Sequence, residues 1–126
     1  MSAVATLGAV VLDCPDPRAL AGFYAEVLGG TVSEQGGGED EDRWVELELP
    51  AGGTMAFQSA PGFVPPKWPS PHASQQFHLD LTVDDMDTAE ARVLALGAVA
   101  LETADRARTW RVYADPAGHP FCLCAC

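Results

Sequence analysis

Apolar residues recur along this chain with two different spacings, and the two spacings follow one another in the same order twice. Residues 5–13 are rich in β-branched side chains and stop at Pro15 and Pro17, which reads as a strand. Asp16 then stands where an N-cap belongs, with proline at the first helical position. Leu20, Phe23, Tyr24, Val27 and Leu28 return at three- and four-residue intervals until Gly29-Gly30, which predicts an amphipathic helix. Alternating segments at 31–34, 43–49 and 54–59 predict three further strands, joined by turns containing glycine and proline.

The second half repeats this plan at offsets of 66 to 69 residues. Leu79, Leu81 and Val83 lead to Asp85, a second helix with Ala89, Val93, Leu94 and Leu96 as its stripe, and the terminator Gly97. Strands are expected at 98–102, 109–114 and 120–125, and Trp44 with Pro50-Ala51-Gly52 finds its counterpart in Trp110 with Pro116-Ala117-Gly118. The expectation is an α+β domain of two βαβββ modules, about 1–60 and 77–126, joined by a connector at about 60–76.

Because neighbouring side chains on a strand point to opposite faces, the alternation sorts the strands into two rows. Phe77, Leu79, Leu81, Val83, Val45, Leu47, Leu49, Met55, Phe57, Phe121 and Leu123 form the row expected beneath the helices. The other row holds Trp44, Glu46, Glu48, Ala56, Gln58, His78, Asp80, Thr82, Trp110, Cys122 and Cys124, which suits the wall of a cavity.

Composition narrows the function. One domain fits 126 residues, and 48% hydrophobic content suffices for a core. A formal charge of -11 repels nucleic-acid backbones and anionic membranes, so neither is an expected partner. Without a membrane-length apolar run or a leader-like start, the expected location is the cytoplasm. Three of the four cysteines, Cys122, Cys124 and Cys126, crowd one strand, with Cys14 alone elsewhere, so free thiols rather than disulfides are expected.

An open, cupped mixed sheet of two βαβββ modules with helices on its outer face resembles the vicinal oxygen chelate superfamily, which includes glyoxalases, extradiol dioxygenases and bleomycin-binding proteins. The strings Val10-Val11-Leu12-Asp13-Cys14-Pro15-Asp16-Pro17, Phe23-Tyr24, Trp68-Pro69, Phe77-His78-Leu79-Asp80 and Asp115-Pro116-Ala117-Gly118-His119-Pro120 look most like its actinobacterial glyoxalase-like branch. The resemblance implies a divalent cation held from the first, fourth, fifth and eighth strands. Those positions fall here on Ala9, on Gln58 (or Ala56, if the 66-residue offset is kept), on His78 and on Cys122. Only His78 is a standard donor and a third ligand is not evident, so no metal and no cofactor are expected.

The favoured expectation is therefore a protein that captures a partly aromatic small molecule without a catalytic metal, working as a homodimer, as the resemblance implies. Trp44, Glu46, Gln58, Trp68, His78, Asp80, Trp110 and Cys122 are the candidate binding residues. The alternatives are a metal-independent lyase, isomerase or hydrolase with His78 as acid-base group, a metal-dependent glyoxalase or dioxygenase with irregular ligands, and a partner-binding module. Cys122 is a candidate nucleophile provided His78 lowers its pKa, and His119 is expected to serve its turn. The proline-stiffened connector carrying Phe63, Lys67 and Trp68 reads as a lid, a bridge to a second subunit or a packed link; Gly36 to Asp42 reads as a solvated acidic tip.

Overall fold

Asp16 starts a helix two residues after the first strand ends: its backbone is extended, and its carboxylate accepts from the Ala19 amide at 3.2 Å. The structure, a computed structural model, describes residues 3, 7–33, 43–70, 72 and 78–125. The expected acidic tip, Phe77, Cys126 and part of the first expected strand lie outside the described residues. The chain divides into two compact units, residues 1–63 and 64–126.

In the first unit β1 (Val10–Cys14), α1 (Pro17–Leu28), β2 (Thr31–Ser33), β3 (Trp44–Glu48) and β4 (Thr54–Ser59) form a mixed sheet in the order β1-β4-β3-β2. β1 runs parallel to β4, which a crossover through a helix requires, and the remaining pairs are antiparallel. Leu20, Phe23 and Tyr24 of α1 are buried with Val45, Leu47, Met55 and Phe57, and the Tyr24 and Phe57 rings stack at 5.8 Å. These four strand residues belong to the row expected beneath a helix. β1 begins one residue after Ala9.

The second unit repeats the plan with β5 (Leu79–Thr82), α2 (Met86–Ala95), β6 (Val99–Glu102), β7 (Trp110–Ala114) and β8 (Pro120–Cys124), in the order β5-β8-β7-β6. Asp85 caps α2 through the Thr88 amide at 3.0 Å. The apolar stripe expected on α2 is narrower than its sequence suggests: Val93 is buried, but Leu94 is 40% exposed and Leu96 37%. Leu94 is turned by about 100° from Val93, and Leu96 is already the cap residue, past the last helical turn. A buried guanidinium strengthens this thin contact. Arg111 on β7 is 4% exposed and pairs with Asp87 at 3.0 Å and with Glu90, both on α2.

The start of this unit lies against its sheet. Gly118, in the turn before β8, has φ 104, and a Cβ there would stand 2.3 Å from the Cβ of Pro65. Only glycine accepts both that conformation and that approach. Three residues further on, Trp68 packs against Val112, Cys122 and Cys124. The same turn is held by Asp115, whose buried carboxylate accepts from the amides of Ala117, Gly118 and His119 at 2.9 to 3.0 Å. His119 thus sits in the turn as its sequence suggested.

Candidate functional site

Strand register decides which side chains of the second unit meet. β5 pairs in parallel with β8 so that Asp80 lies opposite Cys122, while β7 places Val112 opposite Cys122 and Trp110 opposite Cys124. All five project from one face, because partners in register share a side of the sheet. Leu79, Leu81, Arg111, Tyr113, Phe121 and Leu123 take the other face, where Tyr113 and Phe121 stack at 5.6 Å.

A cavity of about 400 Å³ opens on the first face, lined by Trp68, His78, Asp80, Thr109, Trp110, Cys122 and Cys124. His78 Nε2 lies 3.1 Å from Asp80 Oδ1, with the imidazole side chain 32% exposed. The Trp68 indole meets the imidazole edge to face, with centroids 5.6 Å apart, and donates Nε1–H to Glu102 at 2.9 Å. Glu102 also pairs with Arg108 at 3.6 Å, and the Arg108 guanidinium lies 3.6 Å from the centre of the Trp110 ring. Both indoles of the cavity are therefore tied to one surface ion pair.

Five of the residues expected to bind a ligand, Trp68, His78, Asp80, Trp110 and Cys122, come together here. Trp44, Glu46 and Gln58 belong to the first unit. There Trp44 is the register partner of Gln58 and donates its indole N–H to Glu46 at 3.1 Å. Glu102, Arg108 and Val112 escaped the sequence reading. Val112 was accessible from strand parity, two residues after Trp110, whereas nothing local links Glu102 or Arg108 to Trp68.

Cys122 is buried beside Asp80. Burial, and after it the carboxylate of Asp80, pushes its thiol from an ordinary 9.0 up to about 12. His78 pairs with Asp80 at 3.1 Å, and a raised pKa disfavours the thiolate that a cysteine nucleophile requires. A second, more open hollow of about 600 Å³ is lined by Asp87, Glu90, Ala91, Leu94, Arg106 and Arg111. Its two guanidiniums are both paired with carboxylates of α2, which fits a structural network.

Residues 9–124 match the family model described as a glyoxalase-like domain. The chain belongs to the glyoxalase-like domain family. Several solved structures share the fold of this glyoxalase-like chain. One is a glyoxalase/bleomycin resistance protein/dioxygenase family enzyme from Burkholderia phytofirmans, 18% identical, with TM-score 0.70 over 94% of this chain and 97% of that one. Another is a mutant of the fosfomycin resistance protein FosX from Listeria monocytogenes, complexed with Mn(II) and 1S,2S-dihydroxypropylphosphonic acid. It is 14% identical, with TM-score 0.73 over 98% and 94% of the two chains. A glyoxalase/dioxygenase from Nostoc punctiforme is 19% identical, with TM-score 0.66 over 98% and 95%. At these identities the likeness is one of fold. No curated protein matches the sequence.

The four-strand ligand set implied by the superfamily does not fit this glyoxalase-like domain. Ala9 offers a methyl group, and the fourth-strand positions offer an amide at Gln58 or another methyl at Ala56. Within the second unit, three groups able to act as metal donors lie close together. Donor atoms of His78, Asp80 and Cys122 all lie within 4.8 Å of one another. Asp80 stands two residues after His78 and opposite Cys122.

Proposed function

We propose that this glyoxalase-like protein binds a small, partly aromatic organic molecule in the cavity of its second unit. The observation that carries the reading is the lining of that cavity. Two indoles, Trp68 and Trp110, flank an imidazole–carboxylate pair in about 400 Å³, within the size range of small-molecule sites. Flat apolar walls with a few convergent polar groups select a planar guest and orient it. Asp80 in the cavity and a chain charge of -11 favour a neutral or cationic guest over an anionic one.

Calorimetry and thermal shift against a panel of planar aromatic amines, their neutral analogues and matching carboxylates provide the test. Amines and neutral compounds should raise the melting temperature saturably and quench tryptophan fluorescence, and Trp110→Ala should abolish both effects. A folded protein that responds to no member of the panel, or a guest bound equally well by Trp110→Ala, sinks the reading.

The 3.1 Å contact of His78 with Asp80 supports a second reading, in which His78 moves a proton on the bound guest while Asp80 orients the ring. In that case His78→Gln leaves binding of an identified substrate intact and removes turnover; retained turnover eliminates this role.

A further inference from the structure

The donors that fail the superfamily's ligand pattern form a different constellation, confined to one unit. We propose that His78, Asp80 and Cys122 form a three-donor site for a divalent cation of the zinc type, with the fourth coordination position open to the cavity. The proposal deepens the reading above, since it rests on the same cavity.

The geometry needs little adjustment. A tetrahedral zinc ion with bonds of about 2.0–2.3 Å sets its donors about 3.3–3.6 Å apart. Here the imidazole and carboxylate already stand 3.1 Å apart, and all three donor atoms fall within 4.8 Å. The sulfur is fixed by the sheet, because Cys122 is 4% exposed and sits in register between Asp80 and Val112. The two remaining donors sit on partly or largely exposed side chains, 32% exposed for His78 and 65% for Asp80, so they are free to close by about 1 Å around an ion.

Charge and ligand type select the metal. A dication that displaces the Cys122 proton into solvent on binding and is held by the resulting thiolate and one carboxylate is neutralised, which suits a site with an apolar floor of Val112 and a wall of Trp68. A mixed sulfur, nitrogen and oxygen set favours zinc or cobalt over magnesium, calcium or manganese, which prefer oxygen ligands. Three protein donors leave one position free, and the cavity supplies the space for a water or for a donor atom of the guest. Gln58 and Ala9 have no part in this set, so it requires nothing from the first unit.

The experiment uses the full, untagged, reduced and metal-stripped chain, titrated with Co(II). The expected result is a near-ultraviolet thiolate-to-cobalt absorption with visible bands of four-coordinate intensity, saturating at one equivalent and bleached by Zn(II). Cys122→Ser should remove the thiolate band while Cys124→Ser keeps it. His78→Gln and Asp80→Asn, at exposed side chains that spare the fold, should each weaken cobalt binding about tenfold or more. No thiolate band on folded protein in excess cobalt overturns the proposal, as does a band that survives Cys122→Ser or an affinity unmoved by His78→Gln. Should Cys122→Ser not fold by circular dichroism, the His78→Gln titration decides alone. Metal-free protein that binds the aromatic panel but shows no cobalt site refutes only this inference; cobalt binding without any organic guest refutes only the capture reading.

Discussion

Truncating Trp68 to alanine is the perturbation that reaches furthest into this structure, because one side chain roofs the thiols, edges the imidazole and binds Glu102. The indole is partly buried, so about 100–150 Å² of apolar surface leaves water when it docks. At about 25 cal/mol per Å² that contact contributes about 3 kcal/mol, an upper value because unfolded chains already hide some of this area. The hydrogen bond to the Glu102 carboxylate adds about 1 kcal/mol. Trp68→Ala should therefore lower unfolding stability by about 3 kcal/mol in a urea titration followed by circular dichroism, and Trp68→Phe by about 1 kcal/mol. Glu102→Gln should fall near the phenylalanine variant, since the amide oxygen still accepts but without charge. A Trp68→Ala protein within 0.5 kcal/mol of wild type would refute the claim that the start of the second unit is packed onto its sheet.

Other features make separate claims. With its thiol pushed up to about 12, Cys122 in the metal-free protein should react with iodoacetamide near pH 8 about a thousandfold more slowly than the same cysteine in urea, as read by mass mapping. Folding raises this pKa, so its contribution is fully present below about pH 9 and fades as pH climbs toward 12; Cys122→Ala should flatten the stability profile across that window. Arg111→Met should cost about 2 kcal/mol by thermal or urea unfolding, less than a fully buried pair, because Arg106 still neutralises Glu90 and Asp87 is largely exposed. Gly118→Ala should destabilise by about 2 kcal/mol or more, from the positive φ and the approach of Pro65, and should also loosen Trp68, seen as a red-shifted tryptophan emission; an unchanged melting temperature would contradict the packing of Pro65 on that turn.

Much of this architecture was legible without coordinates because its signals are local. An N-cap carboxylate bonds an amide three residues ahead, so Asp16 and Asp85 announce helices from sequence alone. A strand alternates its faces, so the parity of residues 110–114 and 120–124 sorted Trp110 and Cys122 onto the cavity side before any register was known. The match of the two halves fixed the strand and helix order for the same reason, since each module needs one crossover helix to bring its first and last strands together in parallel. The wide stripe expected on α2 was an over-reading, because periodicity cannot say where the neighbouring sheet ends or that an arginine fills the remaining contact.

What no pattern along the chain contains is which distant side chains meet. Asp80 meets Cys122 only because parallel pairing sets it opposite a cysteine 42 residues later, and Trp68 covers the thiols only because Gly118 lets Pro65 approach. Glu102 and Arg108 join the site through the two indoles, across separations that local spacing does not constrain. The pKa of Cys122 is likewise a tertiary quantity, since residue type sets its ordinary value and only burial beside a carboxylate moves it to about 12. Period and capping are enforced by backbone bonds within a few residues and are therefore written in the sequence. Contact, burial and charge proximity depend on chain closure, which the folded structure alone decides.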